Sequence, residues 1–182
     1  VDFKIESSNN NGPFTFSKNI NFTVESRTAL VDNGIVDDSY SFNTKSPGNY
    51  TVNENSVVLE GVDTGTGTDA NWAEIETRTD LDKSSLNSVD IDFSLSQFGD
   101  NDANSGDFRF LIYDGTFGNY IAEFGNLGSK GNTGKNLDRT IRRIDLSDIT
   151  GVGSLKFRAY RSNSGNYETF GGSVTIYDII YN

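Results

Sequence analysis

Apolar residues recur at every second position in several short runs of this chain. Val89, Ile91, Phe93 and Leu95 make one such row. Phe108, Phe110 and Ile112 make a second, and Leu155, Phe157 and Ala159 a third. A period of two is the mark of a strand with one buried face. Residues 71–79 alternate in the same way, with Ala73, Ile75 and Thr77 on one face and Trp72, Glu74, Glu76 and Arg78 on the other. Tyr40 with Phe42, Tyr50 with Val52, and Val57 with Leu59 mark three shorter extended pieces. Leu137, Ile141, Ile144 and Ile149 have a spacing that suits a helix, but Thr140 to Ile144 is β-rich. A strand followed by one helical turn is the better reading there, and residues 80–87 form a second short helical turn. The last run, 173–181, is apolar on both sides. Val174, Ile176 and Ile180 oppose Tyr177, Ile179 and Tyr181, which predicts a strand covered on both faces. Short strands at regular spacing, with no long amphipathic helix, predict an all-β, two-sheet antiparallel sandwich.

The first thirty-odd residues differ. Asp2 to Glu6 alternates, Asn9 to Pro13 is a turn, Phe14 and Phe16 open a short strand, and Ile20, Phe22 and Val24 mark another. Asp32-Asn33-Gly34 is a turn signal. This segment holds too little apolar surface to fold alone. The expected organisation is an extended N-terminal arm over 1–35 and a sandwich over 36–182.

Composition narrows the function classes. Only 34% of residues are hydrophobic and 19 are Gly, as expected of a thin core with many tight turns. The chain has no His, Cys or Met, which removes the commonest general base, the thiol nucleophile and the soft metal ligands together. No disulfide framework is available, and a chain of this size does not require one. A net charge of −11 argues against binding polyanions over a broad surface. The excess of Asp over Glu hints at a marine or hypersaline source. No apolar run approaches a membrane span. No signal peptide is recognisable, and a start at Val1 predicts a processed or engineered N-terminus.

From about Val36 onward the order of features resembles the jelly-roll family of lectin-like and carbohydrate-binding modules. The segments that carry the resemblance are Asp37 to Phe42, Tyr50 to Val52, Ser56 to Glu60, Ala73 to Thr77, Ser88 to Phe93, Ser105 to Phe110 and Thr175 to Ile180. Such modules occur in secreted polysaccharide-active enzymes, on cell surfaces, and in the fibres and decorations of tailed viruses. The resemblance implies a jelly-roll fold and a sugar-facing role.

Five constellations are candidates for chemistry. The loop 100–107 places Asp100, Asp102 and Asn104 at alternate positions, with Asp107 following. Hard-cation loops begin this way, which makes structural Ca²⁺ a candidate. The glycine then falls one place late and the twelfth position is not acidic, so an Asx-rich hairpin loop is the alternative. The loop carboxylates Asp37, Asp38, Asp63 and Asp69 carry the same pair of readings. Trp72, the only Trp, lies on an outward strand face, as do Tyr113 and Tyr160, and outward aromatics stack sugar rings. Covered packing is the other reading of Trp72. Arg109, Lys156 and Arg158 form a basic row that suits an anionic sugar, or else cross-strand pairing with Asp90, Asp92, Glu74 or Glu76. Finally, Glu74 and Glu76 sit two residues apart on one face, a separation compatible with a carboxylate glycosidase. Gly65 and Gly67 are not followed by a helix, so no phosphate loop is indicated. Asn21 and Asn49 fit the glycosylation triplet, which matters only in an exported protein.

The expectation from sequence is a non-enzymatic structural or adhesive surface protein. A virion decoration or fibre outside the cell leads, with Phe3, Ile5, Phe14 and Phe16 anchoring the arm in a homo-oligomer and with surface glycan as a partner. No nucleic acid or membrane span is expected. The rival is a carbohydrate-binding module of a secreted enzyme, using Trp72, Tyr113, Tyr160, Arg109 and Arg158.

Overall fold

The computed structural model describes residues 29–62, 70–99, 108–115, 117–125, 136–162 and 170–182. The strands are β1 (Val31–Asp32), β2 (Ile35–Val36), β3 (Tyr40–Lys45), β4 (Asn49–Val52), β5 (Val57–Gly61), β6 (Asn71–Thr77), β7 (Ser88–Gly99), β8 (Phe108–Asp114), β9 (Tyr120–Phe124), β10 (Leu137–Asp145), β11 (Leu155–Arg161) and β12 (Phe170–Tyr181). One 3₁₀ turn, Lys83–Ser85, lies between β6 and β7, where the sequence predicts a helical turn. Its N-cap is Asp82, whose carboxylate accepts the Ser84 N–H.

Two five-stranded sheets face each other, in the orders β10-β7-β12-β5-β4 and β3-β6-β11-β8-β9. The strands from β5 onward pair as a nested hairpin. The first joins the last, β5 with β12, then β6 with β11, β7 with β10, and β8 with β9, all antiparallel. A long hairpin rolled into two sheets in this order is a jelly roll, with β3 and β4 each added to one edge. The fold implied by the resemblance is therefore the fold adopted.

The predicted alternating rows do form the core. Val89, Ile91 and Phe93 on β7 meet Phe108, Phe110 and Ile112 on β8, with Ile75 and Phe157 beside them, all fully buried. Phe93 lies 5.0 Å from Phe110 and 5.0 Å from Phe124, tying one sheet to two strands of the other.

Two expectations change. The C-terminal strand is not sandwiched on both faces. Its register against β7 shifts between Ile176 and Asp178, so Val174 and Ile176 point inward before the irregularity and Ile179 and Tyr181 after it. Two single-faced patterns in series read, from sequence, as one double-faced strand. The arm boundary also moves. Leu30 and Val31 are buried in the inter-sheet core, and β1 and β2 form a hairpin through the predicted Asn33-Gly34 turn, with φ of 50° and 78°. Positive φ at both residues is what a tight hairpin turn of this hand requires. The sandwich thus includes residues assigned to the arm. Phe3, Ile5, Phe14 and Phe16 lie outside the described residues.

The β10 edge of its sheet carries charge. On edge strand β10, Arg142 pairs in register with inward-facing Ile91 and so points a charge toward the core side, a device that discourages an added strand. Arg139 and Arg143, on its outer side, form bidentate pairs with Asp92 and Asp90 of β7.

Candidate functional site

The outer face of sheet β3-β6-β11-β8-β9 carries the outward residues singled out above. Antiparallel register sets them side by side: Trp72 opposite Tyr160, Glu74 opposite Arg158, and Glu76 opposite Lys156. On the far side of β11, Tyr160 meets Arg109, Arg158 meets Leu111, and Lys156 meets Tyr113.

The centre of this face is closed. Glu74 is 1% exposed, Tyr113 1% and Arg158 8%. Leu111 also points outward and is fully buried, yet it belongs to no part of the inter-sheet core. Glu74 Oε2 accepts a hydrogen bond from Arg158 Nε at 2.7 Å, and the Arg158 Nη2 lies at the same distance. The Tyr113 hydroxyl donates to that same carboxylate. Burial, reinforced by the Glu74 carboxylate, holds the Tyr113 phenol well above its ordinary pKa. A buried carboxylate is tolerated here because one of its oxygens accepts from two side chains and it is paired with a cation. The Arg158 guanidinium also lies 3.8 Å from the Trp72 ring centroid and 4.9 Å from that of Phe117.

These contacts correct the proposed sugar platform. Tyr113 is buried and cannot serve as an open stacking surface. Arg158 is buried and neutralised, so it offers no free charge to an anionic sugar. One face of Trp72 is occupied by Arg158, and the indole is half-buried. Gly48, in the β3–β4 turn, presses on the strand beneath it, since a Cβ there would lie 2.3 Å from the Trp72 carbonyl oxygen. Tyr160 is half-buried against Phe117, 5.1 Å between ring centroids. Arg109 pairs with Glu123 at 3.2 Å. Asp100, Asp102, Asn104 and Asp107, the candidate Ca²⁺ ligands, lie outside the described residues, as do Asp63 and Asp69. Among the described residues no group of three or more carboxylates is arranged to hold a metal. Nor is any described helix long and apolar enough to cross a membrane.

Both of the paired glutamates are engaged by neighbouring donors. A general acid needs a raised pKa. Burial pushes the Glu76 carboxyl up, but the Ser154 hydroxyl, the charge of Lys156 and the Asn43 amide together bring it below its ordinary value of 4.5. Ser154 Oγ donates to it at 2.6 Å, Asn43 Nδ2 at 2.9 Å, and Lys156 Nζ lies 3.4 Å away. Glu74 is locked by Arg158 and Tyr113. A folded pKa below the unfolded one means that the stabilisation from Glu76 is present above pH 4.5 and is lost as pH falls through the folded value. Glu76→Gln should therefore flatten the acid limb of the stability–pH curve below 4.5. Urea midpoints measured at stepped pH check this, and an unchanged acid limb would refute it.

The accessible aromatic of this cluster is one the sequence reading passed over. Phe117 sits at the tip of the β8–β9 turn and is 41% exposed. Gly115 and Gly118 flank it with φ of 65° and 113°, backbone that L-residues avoid, so the two glycines set the turn that presents the ring. Phe117 packs against three rings, Tyr113 at 5.9 Å, Tyr120 at 5.5 Å and Tyr160 at 5.1 Å. The signal was an aromatic between glycines, Gly115-Thr116-Phe117-Gly118. Beside it a groove of about 440 Å³ is lined by Asp114, Asn119, Tyr120, Ile121, Asp145, Asp148 and Ile149. Lys83, only 5% exposed, anchors the Asp114 side of this groove with an ion pair at 2.5 Å.

No family model and no curated protein matches the chain. Solved structures with a similar fold include a mannan-recognising carbohydrate-binding module, TmCBM27, at 14% identity and a TM-score of 0.43, covering 79% of this chain and 87% of that one. The carbohydrate recognition domain of Emp47p is 11% identical with a TM-score of 0.45, over 85% of this chain and 94% of the other. A carbohydrate-binding module specific for non-crystalline cellulose, CBM28, is 14% identical with a TM-score of 0.39, over 78% and 86%. The likeness is to the sandwich as a whole, and the character of the Phe117 site rests on this chain's own residues.

Proposed function

We propose that this domain binds glycan without catalysis, through the turn joining β8 to β9, as a secreted or surface-displayed module. The observation that carries the reading is Phe117. It is a large exposed ring on a glycine-set turn, braced by three further aromatic rings and opening beside a polar groove. Sugar C–H faces pack on such rings, and neighbouring carboxylates and amides accept or donate hydroxyl hydrogen bonds. Bracing matters because a ring already fixed loses little side-chain entropy on binding. The lowered pKa of Glu76 and the locked Glu74 support binding over turnover.

Screening the full chain on a glycan array, then titrating the best ligand, tests this. Phe117→Ala should weaken binding at least tenfold, about 1.4 kcal/mol, while leaving the folded sandwich intact by circular dichroism. Equal affinity in the variant, or no glycan bound by the native chain, would sink the reading.

A further inference from the structure

Four cations on and beside the face that carries Phe117 are matched by carboxylates. Arg158 meets Glu74 at 2.7 Å, Lys156 meets Glu76 at 3.4 Å, Arg109 meets Glu123 at 3.2 Å and Lys83 meets Asp114 at 2.5 Å. Asp145 and Asp148 then line the groove beyond those pairs. Asp145 is held ionised, because the backbone N–H of Ser147 and the Ser147 side chain lower its pKa. The groove wall is thus negative in a protein whose net charge is already −11. Tyr120 joins it to the aromatic cluster, since this residue is among those lining the groove and its ring packs 5.5 Å from Phe117.

Ionised carboxylates only accept hydrogen bonds. A ligand seated on Phe117 and reaching into this groove must therefore bring donors, and it must not bring negative charge. We infer that the site selects uncharged, hydroxyl-bearing sugars and rejects uronate and sulfated ones. This inverts the reading of the basic row Arg109, Lys156 and Arg158 as a cradle for an anionic sugar. It rests on the glycan reading above and adds the ligand class.

The physical basis is a difference of affinities. A neutral sugar loses little by approaching Asp145 and Asp148, whereas a uronate carboxylate meets like charge on that wall. Because the favoured ligand is uncharged, its affinity should barely respond to ionic strength, while repulsion of an anionic ligand should weaken as salt screens it.

The test uses the full chain and oligosaccharides of one backbone in four forms: unsubstituted, O-methylated, uronate-bearing and sulfated. The unsubstituted form should bind best. The O-methylated form should lose affinity because its donors are blocked, and the two anionic forms should bind at least tenfold more weakly. Affinity for the unsubstituted form should hold within about twofold between 50 and 500 mM salt. Asp148→Lys should narrow the gap between neutral and uronate ligands, and Asp148→Asn should narrow it less, with melting temperatures confirming that both variants fold. Anionic ligands bound as tightly as neutral ones, or a gap unmoved by Asp148→Lys, would overturn the inference. Phe117→Ala, run in parallel, separates the two levels. An anionic ligand whose binding vanishes in that variant leaves the site standing and removes the charge selectivity. Binding of every ligand unaffected by that variant, or no binding at all, removes the site and the selectivity together.

Discussion

Replacing Glu74 with alanine is expected to destabilise the protein by about 3–5 kcal/mol, because removing one partner leaves a buried charge uncompensated. Glu74 is 1% exposed and accepts from both Arg158 and Tyr113. Without it, Arg158, 8% exposed, keeps its charge in a site closed to water, and the Tyr113 hydroxyl loses its acceptor. Each loss alone is costly. A domain of this kind is stable by only about 5–15 kcal/mol, so the variant would lose a large share of its margin. Removing the whole network should behave differently. Glu74→Leu combined with Arg158→Met and Tyr113→Phe deletes charge, donor and acceptor together, and should recover most of the lost stability. Urea unfolding of the single and triple variants measures this. A Glu74→Ala midpoint near that of the native chain would show the buried network to be energetically idle.

This network also shows where reading the sequence stops. The strands of the core were legible because an inward row such as Val89, Ile91, Phe93 and Leu95 declares its period and its face. The outward row could be assigned to a face but not to an environment. Alternation places Trp72, Glu74 and Tyr113 outside the core, and only tertiary structure reveals that the outside of this sheet is closed over Glu74, Tyr113 and Leu111. The cross-strand partners of Lys156 and Arg158 were foreseeable from strand faces, yet their register was not, since a shift of one residue would have reversed them. β9 went unread because Tyr120 to Phe124 is short and half-buried at a sheet edge, with weak alternation. The double-faced appearance of β12 arose from an irregularity at Tyr177, which flips the pattern without any glycine or proline to announce it. Phe117 escaped for a related reason: a lone ring in a turn has no period, and its meaning comes from the three rings and the groove that surround it.

Phe93→Ala should be the second severe variant, costing about 3–5 kcal/mol through lost burial and the cavity left behind. The ring is fully buried and lies 5.0 Å from each of Phe110 and Phe124. For a chain of this size such a loss lowers the melting temperature by roughly 6–20 °C, at about 2–4 °C per kcal/mol. The damage should not spread evenly. β8 is held on both sides, by β11 and by β9, whereas among the described residues β9 is an edge strand hydrogen-bonded only to β8. Phe124, near the end of β9, depends on Phe93 and on Phe110, 6.1 Å away, for its packing. Hydrogen exchange in the amides of residues 120–124 should therefore accelerate more than in those of β6, as local opening follows the element with the fewest supports. Tyr120 begins that same strand and joins the Phe117 ring to the groove, so loosening β9 should also weaken glycan binding, even though Phe93 lies in the core and touches no ligand. Phe93→Leu, which refills most of the volume, should restore both exchange protection and affinity in large part. If β9 and β6 lose protection equally in Phe93→Ala, the edge strand is not specifically secured by this ring, and the link from core packing to the binding turn fails.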